Sequence, residues 1–178
     1  MSKGIRKEMW YPDPPETVWV ALTDPRAIAE WLMPNTFQPI VGHKFRFMTD
    51  PMPFCEGFTE CEVLEVDPPR RLSYSWLIVW PPPKKPQQQA PRIAEPMILT
   101  WTLAPERGGT RLVFEQSEYI GPRAWWTRFS MNMGWGHMHN RLLRRVLAHV
   151  RDGAFTPGAI PPEKRCYKAN TIPPEFIR

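Results

Sequence analysis

Cysteine is scarce in this chain, and no two cysteines form a CxxC pair. Cys55, Cys61 and Cys166 are odd in number, so they cannot make a fully paired disulfide framework. Reduced thiols are typical of a cytoplasm, and we therefore expect a cytoplasmic protein. Long apolar runs are also missing, and residues 1–12 lack the apolar segment of a secretory signal. The sequence therefore predicts no membrane span.

Motifs of the common catalytic sites are absent as well, since the sequence contains no GxSxG, P-loop, HExxH or GxGxxG pattern. His137 and His139 are two residues apart and would diverge on a helix. His43, Cys55 and Cys61 do not have the spacing of metal ligands. The sequence thus predicts no metal and no cofactor, and no residue is assigned as catalytic.

Positive charge exceeds negative charge, but it is not concentrated. The 23 Lys and Arg residues outnumber the 18 Asp and Glu residues, which gives a net charge of +5. Arg141, Arg144 and Arg145 are the one close group, and they would lie on the solvated face of a helix. Because no zinc-finger spacing, RNP-like pattern or basic run occurs, we expect no nucleic-acid partner.

Proline and tryptophan are abundant, with 23 and nine residues respectively. The prolines cluster in connecting segments, including 81–96, which we interpret as a long, mobile hairpin insertion. Residues 1–152 are predicted to form one domain, followed by a proline-rich tail at 153–178. The apolar residues of this tail favour a docked arrangement; they are Phe155, Tyr167, Ile172, Phe176 and Ile177.

The order of the other segments predicts an α+β fold. We expect a strand at 5–11, two short helices, strands at 44–48, 57–66, 71–80, 97–103 and 110–117, and a long helix at 122–151. Asp13 is the expected N-cap of the first short helix, and Asp24 or Thr23 that of the second. A curved antiparallel sheet that grips a long C-terminal helix, with two short helices after the first strand, is a helix-grip fold.

The long helix carries one broad apolar stripe. At 3.6 residues per turn the stripe contains Trp125, Trp135, Leu142, Leu143, Val146 and Val150. Three polar residues, Arg128, Asn132 and His139, are predicted to lie on the same side. Polar groups on the buried side of a helix that covers a sheet suggest a cavity between the two.

Several segments resemble one family in the same order along the chain. They are PDPPETVWVALTDPRAIAEWL (12–32), VGHKFRF (41–47), CEVLEVDPPRRLSYSW (61–76), GGTRLVFEQSEY (108–119), and Trp135 with Leu142 seven positions later. The sequence resembles START-like domains of the SRPBCC superfamily, of the Hsp90 ATPase activator homologue type. The resemblance implies a helix-grip fold with a cavity that takes a small apolar molecule. The sequence departs from the family pattern in the 81–96 insertion, in the tail and at His139, where an apolar residue is common in the family.

Inward-facing residues of the strands and of the helix are the candidate ligand-binding residues. They are His139, Asn132, Gln116, Tyr74, Trp76, Trp101, Phe114, Trp135 and Arg128. The leading interpretation is that they bind a small apolar or aromatic molecule. The alternative for the aromatic residues is a filled core, and for His139 and Asn132 it is a buried, hydrogen-bonded side chain. For Arg128 the alternative is a stem that covers apolar surface while the charged head reaches water.

Two further functional classes are compatible with the sequence. An enzyme of the cyclase, lyase or hydrolase type would use His139 as acid or base in the same cavity. A protein-interaction module, like the co-chaperone domain of the family, would instead expose an apolar patch, with Trp126 and Trp10 as candidates. Homodimerisation through such a patch or through the tail is compatible with the sequence.

Overall fold

The computed structural model describes residues 4–51, 55–79, 81, 95–120 and 124–165. The main strands are β1 (Ile5–Tyr11), β2 (Lys44–Met48), β3 (Phe58–Asp67), β4 (Arg71–Ile78), β5 (Met97–Glu106) and β6 (Gly109–Gln116), and a short pair follows as β7 (Val150–Arg151) and β8 (Ala154–Phe155). The helices are α1 (Pro15–Thr23), α2 (Pro25–Trp31), α3 (Ala124–His137) and α4 (Arg144–Leu147), with a π-helical segment (Met138–Leu143) between the last two and a 3₁₀ turn at Pro162–Lys164.

The six main strands form one antiparallel sheet in the order β1-β6-β5-β4-β3-β2. β1 pairs with β6, from Ile5 opposite Gln116 to Tyr11 opposite Thr110, so the first strand lies beside the last. A register shift between Val63 and Glu65 interrupts the β3–β4 ladder, and such bulges increase strand bending. The described sheet and the helical run 124–147 confirm the predicted α+β helix-grip fold.

The helical run 124–147 lies on the concave side of the sheet, and the apolar side of its C-terminal part is buried there. Leu143 and Val146 have no exposed surface. The two short helices close this end of the molecule, and the indole N–H of Trp31 in α2 donates to the carbonyl of Ala21 in α1, at 2.9 Å. In the described ranges no helix is both long and apolar enough to cross a membrane.

The two short helices begin in different ways. Asp24 caps α2 as predicted, because its side chain accepts from the backbone N–H of Arg26. The predicted capping by Asp13 is wrong, since Pro14 occupies the N-cap of α1 and no side-chain cap is formed. The carbonyl of Asp13 accepts instead from the hydroxyl of Thr110, which fixes the start of α1 to β6.

The residue that follows the β5–β6 turn, Gly109, has to be a glycine. Arg107 and Gly108 both have positive φ, the conformation of a two-residue hairpin turn. A Cβ atom at Gly109 would collide with the carbonyl oxygen of Tyr11, so the close approach of β1 requires glycine at this position.

Residues 154–155 contact α1, and residues 158–165 contact α2. Phe155 and Ile160 are buried in the core. The buried carboxylate of Glu30 accepts from the backbone N–H groups of Gly158 and Ile160, at 2.7 and 2.8 Å. The expectations for Tyr167, Ile172, Phe176 and Ile177, and for residues 82–94 of the insertion, concern positions outside the described residues.

Candidate functional site

His139 is the centre of a buried cluster and determines the local shape of the helix. Its Nδ1 lies 2.9 Å from the carbonyl oxygen of Trp135, one turn earlier. Its Nε2 lies 3.0 Å from the indole nitrogen of Trp101, which can only donate. Nε2 is therefore the acceptor, Nδ1 carries the hydrogen, and the imidazole is neutral with both nitrogens occupied.

The π-helical segment coincides with this arrangement. The His139 side chain takes the Trp135 carbonyl that would otherwise accept from the helix backbone, and insertion of a side chain into the backbone ladder is a known cause of such distortions. The wider turn leaves the carbonyl of His139 accessible, and the hydroxyl of Tyr11 donates to it at 2.9 Å. Both ends of the residue are thus held by β-strand side chains.

Burial lowers the pKa of His139 from 6.5 to about 4, an effect to which nearby Lys7 adds and which the bond to Trp135 partly offsets. The ring therefore stays uncharged near neutral pH. The rings of Trp31, Phe114 and Trp135 pack around it, with centroids 5.7, 4.8 and 5.5 Å away. In this arrangement the imidazole has no free nitrogen and no exposed surface to offer a substrate.

Most of the predicted site residues meet in one aromatic cluster. Phe114 contacts Trp101 and Trp135, with ring centroids 5.0 and 4.5 Å apart. The cluster as a whole contains Tyr74, Trp76, Trp101, Phe114, Gln116, Trp135 and His139, all of them buried. Met97 and Met131 also belong to this cluster. The alternation of β5 places Met97 on its inner face, whereas Met131 lies outside the predicted apolar stripe of the helix and no sequence signal marks it.

Gln116 is the polar group of this cluster whose donors are least well paired. Its Oε1 accepts from the indole N–H of Trp135 at 2.7 Å, and this bond fixes the amide orientation because an indole can only donate. Its Nε2 therefore points the other way, to the thioether sulfurs of Met97 and Met131 at 3.3 and 3.6 Å. Thioether sulfur is a weak acceptor, so this buried amide retains donor capacity.

Arg128 and Asn132 do not join the cluster. Both are exposed, so the prediction that they lie on the buried side of the helix with His139 is wrong, although for Arg128 the alternative that its head reaches water agrees with the structure. The prediction assumed about 100° per residue throughout the helix, whereas a π-helical residue turns through less. Over the six residues of Met138–Leu143 this shifts the helix face by roughly a third of a turn.

Trp125 is displaced from the predicted stripe for the same reason and is exposed. The sheet-facing stripe of α3 contains small or flexible residues instead. Ala124, Thr127, Met131 and Gly134 are all only half-buried, in contrast to the fully buried residues after Trp135. The contact between helix and sheet therefore loosens toward Ala124, next to Met131 and the Gln116 amide.

Metal binding has no support in the described ranges, where no group of three or more His, Cys, Asp or Glu side chains could hold an ion. Cys55 and Cys61 are buried, unpaired thiols. Burial raises the pKa of both, so neither is an activated nucleophile.

Comparison with known proteins identifies relatives of the whole fold. The sequence profile described as "Activator of Hsp90 ATPase homolog 1-like protein" matches residues 13–148. No curated protein matches the sequence. Protein MLL2253 from Mesorhizobium loti is 35% identical over 80% of this chain and 95% of its own, with a TM-score of 0.66.

Two more solved structures extend the likeness. Protein BH1534 from Bacillus halodurans is 25% identical over 83% of this chain and 99% of its own, with a TM-score of 0.62. CalU16 from Micromonospora echinospora is 23% identical over 77% of this chain and 71% of its own, with a TM-score of 0.56, and supports the fold alone.

Proposed function

Because the chain belongs to the Activator of Hsp90 ATPase homolog 1-like family, whose fold binds ligands, we propose that it binds a small apolar or aromatic molecule. The ligand lies between the sheet and the α3 part of the helix, beside Gln116 and Trp76. The observation that carries the proposal is the Gln116 amide, a buried donor that, among the described residues, faces only two thioether sulfurs.

The lining explains the chemical class of the ligand. Trp76, Trp135 and Phe114 present ring faces and edges, and Met97 and Met131 are adaptable side chains that can make room for a guest. Burial of apolar surface contributes about 25 cal/mol per Å², so a ligand that buries about 200 Å² gains about 5 kcal/mol. Aromatic contacts add to this and favour a planar molecule.

Gln116 supplies the selectivity. A carbonyl or hydroxyl oxygen on the ligand accepts better than a thioether, so it replaces the sulfurs as the partner of Nε2. Trp135 keeps the amide oriented throughout, because its N–H continues to donate to Oε1. The ligand is therefore an apolar body with one acceptor oxygen.

His139 has a supporting role in this proposal. It positions Trp135 and Trp101 through its two ring nitrogens. The enzyme alternative, with His139 as acid or base, has no specific observation in its favour, because the ring is enclosed and its pKa of about 4 is far from neutrality. Arg128 and Asn132 keep only the role of groups at the entrance, on the exposed side of the helix. The compartment we propose is the cytoplasm, where the thiols stay reduced.

Two matched probes test the proposal directly. We expect 2-naphthol to bind more tightly than naphthalene, measured by quenching of tryptophan fluorescence and by calorimetry. Gln116→Met should lower the affinity for 2-naphthol by about three- to tenfold and leave that for naphthalene nearly unchanged. Glu115→Gln, on the opposite face of the same strand, is the control.

Native mass spectrometry of the purified protein provides a second test, since a tightly held ligand would co-purify. If neither naphthol nor naphthalene saturates the protein and no small molecule co-purifies, the proposal is wrong. If both probes bind but Gln116→Met changes neither affinity, the ligand site lies elsewhere.

A further inference from the structure

The outer face of α3 is apolar and uncovered by the described residues. Trp125 is 76% exposed, Trp126 56%, Phe129 50% and Met133 64%. We call these four residues the aromatic ridge. They lie on the side of α3 opposite to the half-buried stripe of Ala124 and Met131. An exposed apolar patch of this kind is unusual in a soluble monomer and indicates a contact surface.

The rings of the ridge are arranged as one unit. Phe129 stacks on Trp125 with an interplanar angle of 13° and a centroid distance of 6.2 Å. Trp126 lies 5.8 Å from Phe129 and 6.1 Å from Trp125. Their polar indole groups combine with apolar bodies, which is the property that places tryptophan at the boundary between water and lipid.

The charged residues on α3 itself have one sign. Arg128 is the only Lys, Arg, Asp or Glu between Ala124 and His137, and it is exposed. The ammonium of Lys7 approaches the same helix, where it would be 3.5 Å from a Cβ atom at Gly136. α3 thus presents a positive charge and no carboxylate, in a chain whose net charge is +5.

We propose that the aromatic ridge docks α3 on the surface of an anionic lipid bilayer, with the helix axis in the plane of the membrane. An apolar ridge flanked by cations matches such an interface, where rings insert at the headgroup level and cations attract anionic lipid. A second copy fits less well, because contact between two ridges would bring their Arg128 side chains together. The inference goes beyond the proposed ligand site and stands without it.

Docking in this orientation has a geometrical consequence. The half-buried stripe of α3 lines the proposed ligand site, and the ridge lies on the other side of the same helix. The looser end of the helix–sheet contact is therefore held next to the lipid, a source of apolar molecules.

Vesicle flotation with the full chain tests the docking. We expect the protein to float with vesicles of phosphatidylcholine and phosphatidylserine, with a blue shift of tryptophan emission, and much less with phosphatidylcholine alone. Trp125→Ser combined with Phe129→Ser should lower the affinity at least about tenfold. Arg128→Gln should lower it about fivefold, and added salt should weaken the binding of the unchanged protein.

Trp10→Ser is the matched control, since Trp10 is also an exposed tryptophan but lies on β1 rather than on α3. It should float like the unchanged protein. Because the ridge residues are exposed, circular dichroism should show all variants folded. Equal flotation of the ridge variant, or no flotation of the unchanged protein, overturns the proposal. If light scattering then shows a dimer that Phe129→Ser dissociates, the ridge is an interface between copies instead.

Discussion

Residues 138–147 and residues 124–137 belong to one helix but are packed in different ways. In the first, the closed half, five of the ten residues are buried against the sheet, α1 and α2: His139, Leu142, Leu143, Val146 and Leu147. In the second, the open half, Trp135 is the only fully buried residue among those described. The closed half therefore contributes to the core of the fold, whereas the outer face of the open half is exposed.

Replacement of His139 should break the closed half and give the largest effect. His139→Ala leaves the Trp101 N–H and the Trp135 carbonyl unpaired and creates a cavity among the rings. We expect a loss of about 3–5 kcal/mol in the free energy of unfolding, measured in urea. Asn132→Ala, in the open half, should change it by less than about 0.5 kcal/mol. Similar losses for both variants would contradict the distinction between the halves.

Acid should weaken the closed half through the same residue. The pKa of His139 is lowered from 6.5 to about 4 by folding. Between these two pH values the unfolded chain therefore binds a proton at His139 that the folded chain does not bind. Stability is therefore full above about pH 6.5 and falls as the pH drops toward 4, by about 3 kcal/mol in all. Urea unfolding of the protein and of His139→Met between pH 7 and 4 measures the difference. His137→Gln, which changes an exposed histidine, should keep the original slope.

Two hydroxyl groups, one in contact with each half, test the same distinction with smaller expected effects. The Tyr11 hydroxyl donates to the buried carbonyl of His139, whereas Ser130 donates to the exposed carbonyl of Trp126. Tyr11→Phe should cost about 1–2 kcal/mol and Ser130→Ala less than about 0.5 kcal/mol. Hydrogen exchange of the amides at 138–143 should accelerate only in Tyr11→Phe. Equal losses in the free energy of unfolding for the two variants would mean that Ser130, in the open half, is as well covered as Tyr11.

The outer face of the open half should give the smallest effect. Phe129→Ser and Met133→Gln remove side chains that are half exposed or more, so the free energy of unfolding should change by less than about 0.5 kcal/mol. Thermal unfolding is a sufficient measurement, with Leu143→Ala in the closed half as the contrast. A loss above about 1.5 kcal/mol would show that another part of the chain covers the ridge.

Much of the fold could be predicted from the sequence because it depends on alternation and order. Leu72, Tyr74 and Trp76 alternate with polar residues and do lie on the inner face of β4. The succession of one strand, two short helices, several strands and a long helix has few compact solutions. The family resemblance led to the same fold, and the match over 13–148 confirms it.

The site was harder to predict because one local distortion changes the phase of the helix. Periodicity predicts the buried face of a helix correctly only if every residue turns through the same angle. Nothing in the sequence MHNRLL indicates a wider turn. The cause is a long-range contact, since His139 is held by Trp101 of β5 and by Tyr11 of β1. Arg128 and Asn132 were therefore placed on the wrong face, whereas residues on the strands were placed correctly.

Trp135 connects the hydrogen bonds of His139 with those of Gln116, since its carbonyl accepts from His139 while its indole donates to Gln116. If a ligand binds beside Gln116 as proposed, it contacts the ring of the residue whose carbonyl accepts from the imidazole. Ligand binding and the hydrogen bond between His139 and Trp135 would then be coupled through this one tryptophan, and by thermodynamic reciprocity a change that weakens this bond would change the affinity in turn.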